Sequence, residues 1–111
     1  MQKIITFEVP EIALSPEQVA MALNKACSAR QGRYRISGLC QLEDTVLFLL
    51  LPLARGDAVE EYLFCTASDL TIPGFTGELL NRWSHGFNTL GALAVGNARV
   101  LLLACPKGGS E

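Results

Sequence analysis

Two short apolar runs dominate the hydrophobic pattern of the chain. Residues 45–53 read TVLFLLLPL and residues 99–106 read RVLLLACP, and a proline closes each run. Runs of this length are too short for a membrane span and are typical of buried strands. Because successive side chains of a strand point to opposite faces, both faces of these two strands need cover. We expect the rest of the chain, or a partner, to supply that cover.

Four more strands are predicted from the alternation of apolar and polar residues. They span residues 3–9, 33–43, 59–67 and 89–95, and Pro10 is predicted to end the first of them. In the second, one face is predicted to carry Tyr34, Ile36, Gly38, Cys40 and Leu42. Glu43-Asp44 and Gly96-Asn97 each predict a tight turn, so each apolar run is expected to form a hairpin with the strand before it.

The first of two predicted helices begins at Ser15. Ser15 is a favourable N-cap, Pro16 suits the first helical position, and Gln18 completes the sequence pattern of a capping box. The apolar residues that follow recur with a period near 3.6, which indicates one buried side. Gly32 is predicted to end this helix, and residues 11–14 before it are predicted to be a connection.

The second predicted helix has Thr76 as its N-cap and ends at Gly86. Its apolar positions Leu79, Leu80 and Trp83, followed by Phe87, are predicted to pack in the core. Residues 68–75 before it form the longest irregular segment of the chain. Since long loops carry function more often than cores do, this segment is predicted to cap a ligand pocket.

The chain is predicted to contain two tandem β-α-β-β units, about 1–54 and 58–106, within a single domain of residues 1–106. Gly38 and Gly91 have the same separation as the two predicted turns. A β-α-β-β unit of this size buries its own apolar face poorly, so two of them should share one core. The predicted fold is a two-layer α+β sandwich of the ferredoxin-like class, with a mainly antiparallel sheet of about six strands and two helices. Residues 107–111 are predicted to form a flexible tail.

Motifs in the last third of the chain resemble a group of small uncharacterised bacterial domains. These motifs are Glu78-Leu79-Leu80-Asn81, Gly86-Phe87, Leu90-Gly91-Ala92-Leu93 and Leu103-Ala104-Cys105-Pro106-Lys107. In those domains a short helix with a leucine pair leads to a glycine-aromatic step and a C-terminal hairpin. The resemblance implies a β-α-β-β unit and carries over no activity.

Composition and charge limit the classes of partner. Among the 111 residues, 50% are hydrophobic and 18% are charged, and the formal net charge is −2. This balance argues against a nucleic-acid partner, which usually requires a basic surface. No window approaches the roughly 18 apolar residues of a membrane span, and the first residues lack the pattern of a signal peptide. A cytoplasmic protein without a membrane partner is therefore expected.

The cysteines and the single histidine give no strong signal for metal or redox chemistry. Cys27, Cys40, Cys65 and Cys105 are far apart in the sequence and fall at apolar positions. They are interpreted as small buried hydrophobic residues rather than as a metal site, a disulfide or a nucleophile. His85 is interpreted as a solvated residue at a helix end. No catalytic residue, metal or cofactor is predicted.

A small-ligand site is nevertheless considered in two places. Arg30, Arg33 and Arg35 cluster near the end of the first helix and suit a phosphate or carboxylate, although a solvated strand face is the simpler interpretation. Aromatic residues near the irregular segment could line a pocket. The candidate ligand-binding residues are Arg33, Arg35, Asp69, Phe75, Trp83 and His85.

Apolar strand residues predict a homodimer packed sheet against sheet. Two helices cover one face of the sheet, so the other face is expected to expose Leu47, Leu49, Leu51, Leu101 and Leu103 or the complementary set. The alternatives are helices on opposite faces, or a sheet that closes on itself. The predicted function is a non-enzymatic, homo-oligomeric binding or assembly module with a small-molecule or protein partner. The alternative is a small enzyme or ligand sensor with a pocket in a dimeric α+β barrel.

Overall fold

The described residues form six strands and three helices. The computed structural model describes residues 3–28, 33–54, 56–57 and 59–106. The elements of the first half are β1 (Lys3–Glu8), α1 (Val9–Leu14), α2 (Pro16–Cys27), β2 (Tyr34–Leu42) and β3 (Thr45–Pro52). Those of the second half are β4 (Glu60–Thr66), α3 (Ile72–Ser84), β5 (Asn88–Val95) and β6 (Ala98–Pro106). Among these elements, no helix is long and apolar enough to cross a membrane.

The strands form two antiparallel sheets, each with three strands. The first sheet has the order β1-β3-β2 and the second has the order β4-β6-β5. The α+β class is confirmed, whereas a single sheet of about six strands with two helices is not what forms. The sheets come together at β2 and β5, where the Gln41 side chain accepts from the Ala94 N–H at 2.8 Å and donates to the Ala94 carbonyl at 2.9 Å. A side chain, rather than a backbone ladder, therefore joins the two sheets there.

The two halves share three backbone features, two of which recur at the same separation along the chain. Both sheets place their first and second strands on either side of their third strand. The register shifts between Ile36 and Gly38 in β2 and between Thr89 and Gly91 in β5. Left-handed backbone occurs at Glu43, with φ of 54°, and at Gly96, with φ of 59°. For the register shift and for the left-handed residue, the separation is the same 53 residues that separate Gln41 from Ala94.

The register shift in β2 corrects the predicted faces of this strand. Ile36 lies opposite the buried Leu50 on β3, whereas Gly38 lies opposite Leu49, which faces outward. A bulge inserts one extra residue, here at Ser37, and so reverses the faces of every residue that follows. Gly38, Cys40 and Leu42 therefore share the face opposite to Tyr34 and Ile36. A glycine inside a strand pattern is the sequence sign of such a bulge.

Helix α1 was not predicted, and it begins where β1 was expected to end. Pro10 lies in the first helical turn, where a missing N–H costs nothing. The Glu11 carboxylate accepts a hydrogen bond of 2.9 Å from the Glu8 N–H. Val9 and Ile12 of this helix are buried, at 8% and 1% exposure. The proline thus starts a helix as well as ending a strand.

Ser15 separates α1 from α2 but does not form the predicted capping box. Its side chain makes no capping hydrogen bond, and its N–H is donated to the Glu11 carbonyl of the preceding helix. The Ser15 carbonyl accepts from the Val19 N–H and so opens the hydrogen-bond series of α2. The start of α2 at Pro16 agrees with the prediction. Its predicted end at Gly32 lies outside the described residues.

Helix α3 begins five positions earlier than predicted, with Thr71 rather than Thr76 as its N-cap. Thr71 is its N-cap and accepts from the Gly74 N–H at 3.2 Å, and Pro73 occupies the first turn. The Asp69 carboxylate accepts from the Thr71 N–H at 2.9 Å and from the Thr71 hydroxyl at 2.7 Å, which fixes the cap. Gly86, with φ of 91°, follows the helix end as predicted. Only residues 68–71 of the predicted loop remain irregular.

The core lies between the inner faces of the two sheets and the buried sides of α1 and α2. Phe48 of β3 is its centre and meets Phe7 and Phe64 edge to face, at ring-centroid distances of 6.1 and 6.2 Å. Helix α2 packs against β4, where the Asn24 amide accepts from the Tyr62 N–H and donates to the Tyr62 carbonyl. The core therefore includes elements from both halves.

Candidate interaction surface

Strands β3 and β6, the two apolar runs of the sequence, differ in burial. In β6, Leu101, Leu102, Leu103 and Ala104 are all at most 1% exposed. In β3, buried and half-buried residues alternate along the strand. Alternation is expected for a strand with one covered face, and continuous burial for a strand with two. The second sheet is thus covered on both faces and the first sheet on one.

Helix α3 covers the second face of the second sheet. Leu101 and Leu103 lie on this face together with Cys65, their neighbour on β4. Burial raises the pKa of the Cys65 thiol. Helix α3 contacts β5, the strand beside β6, and Leu101 and Leu103 are 0% and 1% exposed. Leu101 and Leu103 are therefore covered within the chain and are removed from the expected dimer interface.

The outward face of the first sheet carries a row of aliphatic side chains. Leu47, Leu49 and Leu51 of β3 are half-buried on it, while Ile4 is 53% and Leu42 is 66% exposed. We call these five residues the leucine face. The described helices α1 and α2 bury Ile12, Leu23 and Cys27 on the opposite side, in the cluster that contains Phe48. The leucine face thus contains Leu47, Leu49 and Leu51, three of the five residues of the expected interface.

Among the described residues, the charged side chains on this side of the first sheet lie at the rim of the leucine face. Arg35 is opposite Leu51 at one end, and Glu8 is opposite Thr45 at the other. The Glu8 carboxylate accepts from the Thr45 hydroxyl at 3.0 Å. Exposed apolar surface with a polar rim is typical of a protein-protein contact.

The outward side of α3 is also apolar. Ile72 is 80%, Leu80 is 63% and Trp83 is 65% exposed, so the prediction that Leu80 and Trp83 pack in the core is wrong. With the exposed Thr76 they have the spacing of residues on one side of a helix, and we call the four the α3 stripe. The inward side instead holds the half-buried residues Phe75 and Leu79.

Helix α3 lacks the charged outer side that is usual for a surface helix. Its ionisable side chains are Glu78 and Arg82, which form an ion pair of 3.2 Å and are only 19% and 27% exposed. The Glu78 carboxylate also accepts from the Ser68 N–H at 3.0 Å, and this hydrogen bond lowers its pKa. Both charges are thus turned toward the sheet and the preceding loop. A helix that faces only water usually has the opposite arrangement.

The six candidate ligand-binding residues do not form one site. Arg33 and Arg35 are exposed on the first sheet, and Arg30 lies outside the described residues. Asp69 and Phe75 are near the start of α3, while Trp83 and His85 are at its end. A helix of this length spans roughly 20 Å. The structure therefore divides the candidates among three places.

Asp69 and His85 have local structural roles at the two ends of α3. Hydrogen bonds from the Thr71 N–H and hydroxyl lower the pKa of the Asp69 carboxyl. His85 Nδ1 lies 2.8 Å from the Asn81 carbonyl oxygen. Because a carbonyl only accepts, this ring nitrogen carries a proton in the contact. The hydrogen bonds of both side chains are thus made within α3 or next to it.

Two shallow clefts contain the aromatic candidates. Phe75 lines a cleft of about 290 Å³ with Leu70, Ala92 and Arg99. Trp83 lines one of about 340 Å³ with Glu60, Gly86, Asn88, Ala104 and Pro106. These volumes are at the lower end of the range for ligand pockets. Arg99 and Asn88 were not singled out from the sequence, since only tertiary packing brings them beside the aromatic rings.

The cysteines do not come together in the structure. All four are free, Cys27 is buried, and Cys40 is exposed on the outward face of the first sheet opposite Leu47. Burial, with a smaller contribution from Glu60, raises the pKa of Cys27 to about 11. Within the described part of the chain, no three His, Cys, Asp or Glu residues are grouped so that they could hold a metal ion.

The main candidates for a functional site among the described residues are therefore two apolar surfaces, the leucine face and the α3 stripe. The sequence analysis did not identify Ile4, Leu42 and Ile72 as surface residues of interest. For α3, the low number of charged residues in 72–84 was the sequence feature that could have indicated an apolar outer side. Comparison of the chain with protein-family models, with curated proteins and with solved structures finds no match.

Proposed function

We propose that the protein is a non-enzymatic binding or assembly module that self-associates through the leucine face. The observation that carries this proposal is the difference between β3 and β6, two similar apolar strands of which only β6 is covered on both faces. Burial of the remaining exposed area of Leu47, Leu49 and Leu51 stabilises a complex by about 1 kcal/mol per side chain. A second copy of the chain is always present at matching concentration, which favours a homodimer.

The test is the mass of the protein in solution, measured by light scattering on serial dilution. We expect a species of twice the 12.0 kDa chain mass that dissociates when diluted. Leu49→Lys places a charge at the centre of the leucine face and should give a monomer. Met21→Lys is the matched control, since Met21 is 70% exposed on α2, outside the leucine face. A wild-type monomer at high concentration would refute the proposal.

Alkylation of Cys40 gives a second measurement that needs no substitution. Cys40 is exposed and lies opposite Leu47, so self-association should slow its reaction with iodoacetamide as protein concentration rises. A rate that stays constant while the mass doubles would place the contact on another surface.

Three finer features belong to the same proposal. The shared strand order, bulge position and left-handed turn support two tandem β-α-β-β units of the ferredoxin-like class. Four free thiols support a cytoplasmic location, because reducing compartments preserve them. A small-molecule or protein partner beyond the second copy would bind most readily in the cleft at Trp83, which combines an aromatic ring with Glu60 and Asn88.

A further inference from the structure

Helix α3 has two apolar sides, and its own chain covers only one of them. Phe75 and Leu79 face the second sheet, whereas the α3 stripe faces outward. We infer that the α3 stripe of one copy packs on the leucine face of a second copy. The α3 stripe of the second copy packs in the same way on the leucine face of the first. This inference rests on the proposed self-association and identifies the surface that covers the leucine face. It replaces a sheet-against-sheet dimer with a helix-on-sheet dimer.

The internal correspondence between the two halves provides the first argument. The 53-residue separation of Gln41 and Ala94 holds for the strands that follow the helices, whereas α2 ends at Cys27 and α3 ends at Ser84, a separation of 57 residues. At that separation, Thr76 and Leu80 of the α3 stripe correspond to Val19 and Leu23 of α2, which are 5% and 0% exposed. The side that α3 turns to solvent is therefore the side that α2 buries.

The strands show the same relation. Leu49 and Leu51 of the leucine face correspond, at the same 53-residue separation, to Leu102 and Ala104 of β6. Leu102 and Ala104 belong to one buried cluster with Val19, Leu23 and Cys27. Within one chain, the stripe of α2 and the corresponding face of the second sheet are thus buried together. The contact inferred between copies is the equivalent pairing of the α3 stripe with the leucine face, the two surfaces that remain exposed within one chain.

The charges of both surfaces suit this contact. The centre of the leucine face is aliphatic, with Arg35 and Glu8 at its ends. The two ionisable residues of α3 bond to each other on the inward side of the helix. Packing the α3 stripe on the leucine face therefore leaves no charge buried without a partner. A two-fold axis produces this contact twice, once for the α3 stripe of each copy. The buried area is therefore doubled, and a stable interface buries roughly 800 Å² on each partner.

The fluorescence of Trp83 distinguishes this dimer from a sheet-against-sheet dimer. Trp83 is the single tryptophan of the chain, and it is 65% exposed within one copy. As the protein is concentrated from monomer to dimer, we expect its emission to shift to shorter wavelength, because the indole ring becomes buried. Emission that stays constant while the mass doubles would overturn the inference and leave the proposed self-association intact. A mass that never rises would overturn both.

A complementation experiment tests the pairing of the two surfaces. Leu80→Glu alters only the α3 stripe at a position that is 63% exposed, and Leu49→Lys alters only the leucine face. Each variant alone should be a monomer. Their equimolar mixture should recover the dimer mass, because one contact is intact and the other pairs the introduced ammonium with the introduced carboxylate across the interface. Recovery by the mixture supports the inference; a Leu80→Glu variant that dimerises alone, or a mixture that stays monomeric, overturns it.

Discussion

Tyr62 is a buried residue that joins the two halves of the chain. It is 1% exposed, and its hydroxyl accepts from the Ile36 N–H of β2 at 2.8 Å and donates to the Glu60 carboxylate at 3.0 Å. Burial raises the pKa of the Tyr62 hydroxyl well above its usual range. The neutral hydroxyl therefore serves as a bridge from the second sheet to the first.

We expect Tyr62→Phe to lower the free energy of unfolding by about 1–3 kcal/mol, because the buried Ile36 N–H loses its acceptor. Urea denaturation followed by circular dichroism measures this change. Tyr34→Phe is the matched control, since Tyr34 is only half-buried on the first sheet and should change stability by less than about 0.5 kcal/mol. Equal effects of the two substitutions would contradict the assigned role of Tyr62.

At the scale of elements, the start of α3 depends on the absence of a side chain at Gly74. A Cβ atom at this position would collide with the Asp69 carboxylate, which holds the Thr71 cap. Gly74→Ala should therefore destabilise the protein by about 1–3 kcal/mol. Gly77→Ala, in the same helix, meets no atom within 4 Å and should stabilise it by up to about 1 kcal/mol.

Thermal unfolding of the two glycine variants, at a concentration where the chain is monomeric, measures whether each substitution lowers or raises the stability. Opposite shifts of the melting temperature would support the packing of Asp69 under the first turn of α3. If both substitutions stabilise the protein, the Asp69 contact does not hold the helix start.

The sequence pattern predicted the strands well because their boundaries depend on local signals. Glu43-Asp44 and Gly96-Asn97 mark both hairpin turns, and the strand ends agree to within about one residue. The missed element, α1, depends on Pro10, which is compatible with a strand end and with a helix start. Likewise, Thr71 and Thr76 are both acceptable N-caps, and the Asp69 carboxylate binds Thr71 in the structure.

The candidate surface was predicted in part. The outward position of Leu47, Leu49 and Leu51 follows from period-two alternation, whereas the burial of Leu101 and Leu103 depends on which face α3 covers. That choice is a tertiary property that a sequence pattern does not contain. The same holds for Leu80 and Trp83, whose apolar character suggested a core position although the helix turns them outward.

For the whole molecule, the amide of Gln41 is the joint between the two sheets. It pairs with both backbone groups of Ala94 at the neighbouring edge. Removing it in Gln41→Ala leaves a partly buried N–H and carbonyl without these bonds, and we expect a loss of about 1–2 kcal/mol in unfolding free energy.

Hydrogen exchange is the measurement for Gln41→Ala, because it reports individual amides. Exchange should become faster at Ala94 in β5 while the centre of β6 remains protected. Gln18→Ala, on the exposed surface of α2, is the control. Uniform protection in Gln41→Ala would mean that the sheets are held together without this joint.

The two amide side chains that bind the second sheet do so at its two outer strands, β4 and β5. Asn24 binds the backbone N–H and carbonyl of Tyr62 on one edge, and Gln41 binds those of Ala94 on the other. An added strand would make the same two hydrogen bonds at each of these positions. Unpaired edges next to an apolar strand such as β6 are the usual starting points of amyloid-like growth. Asn24 and Gln41 thus block one hydrogen-bonding position on each outer edge of the sheet whose central strand is β6.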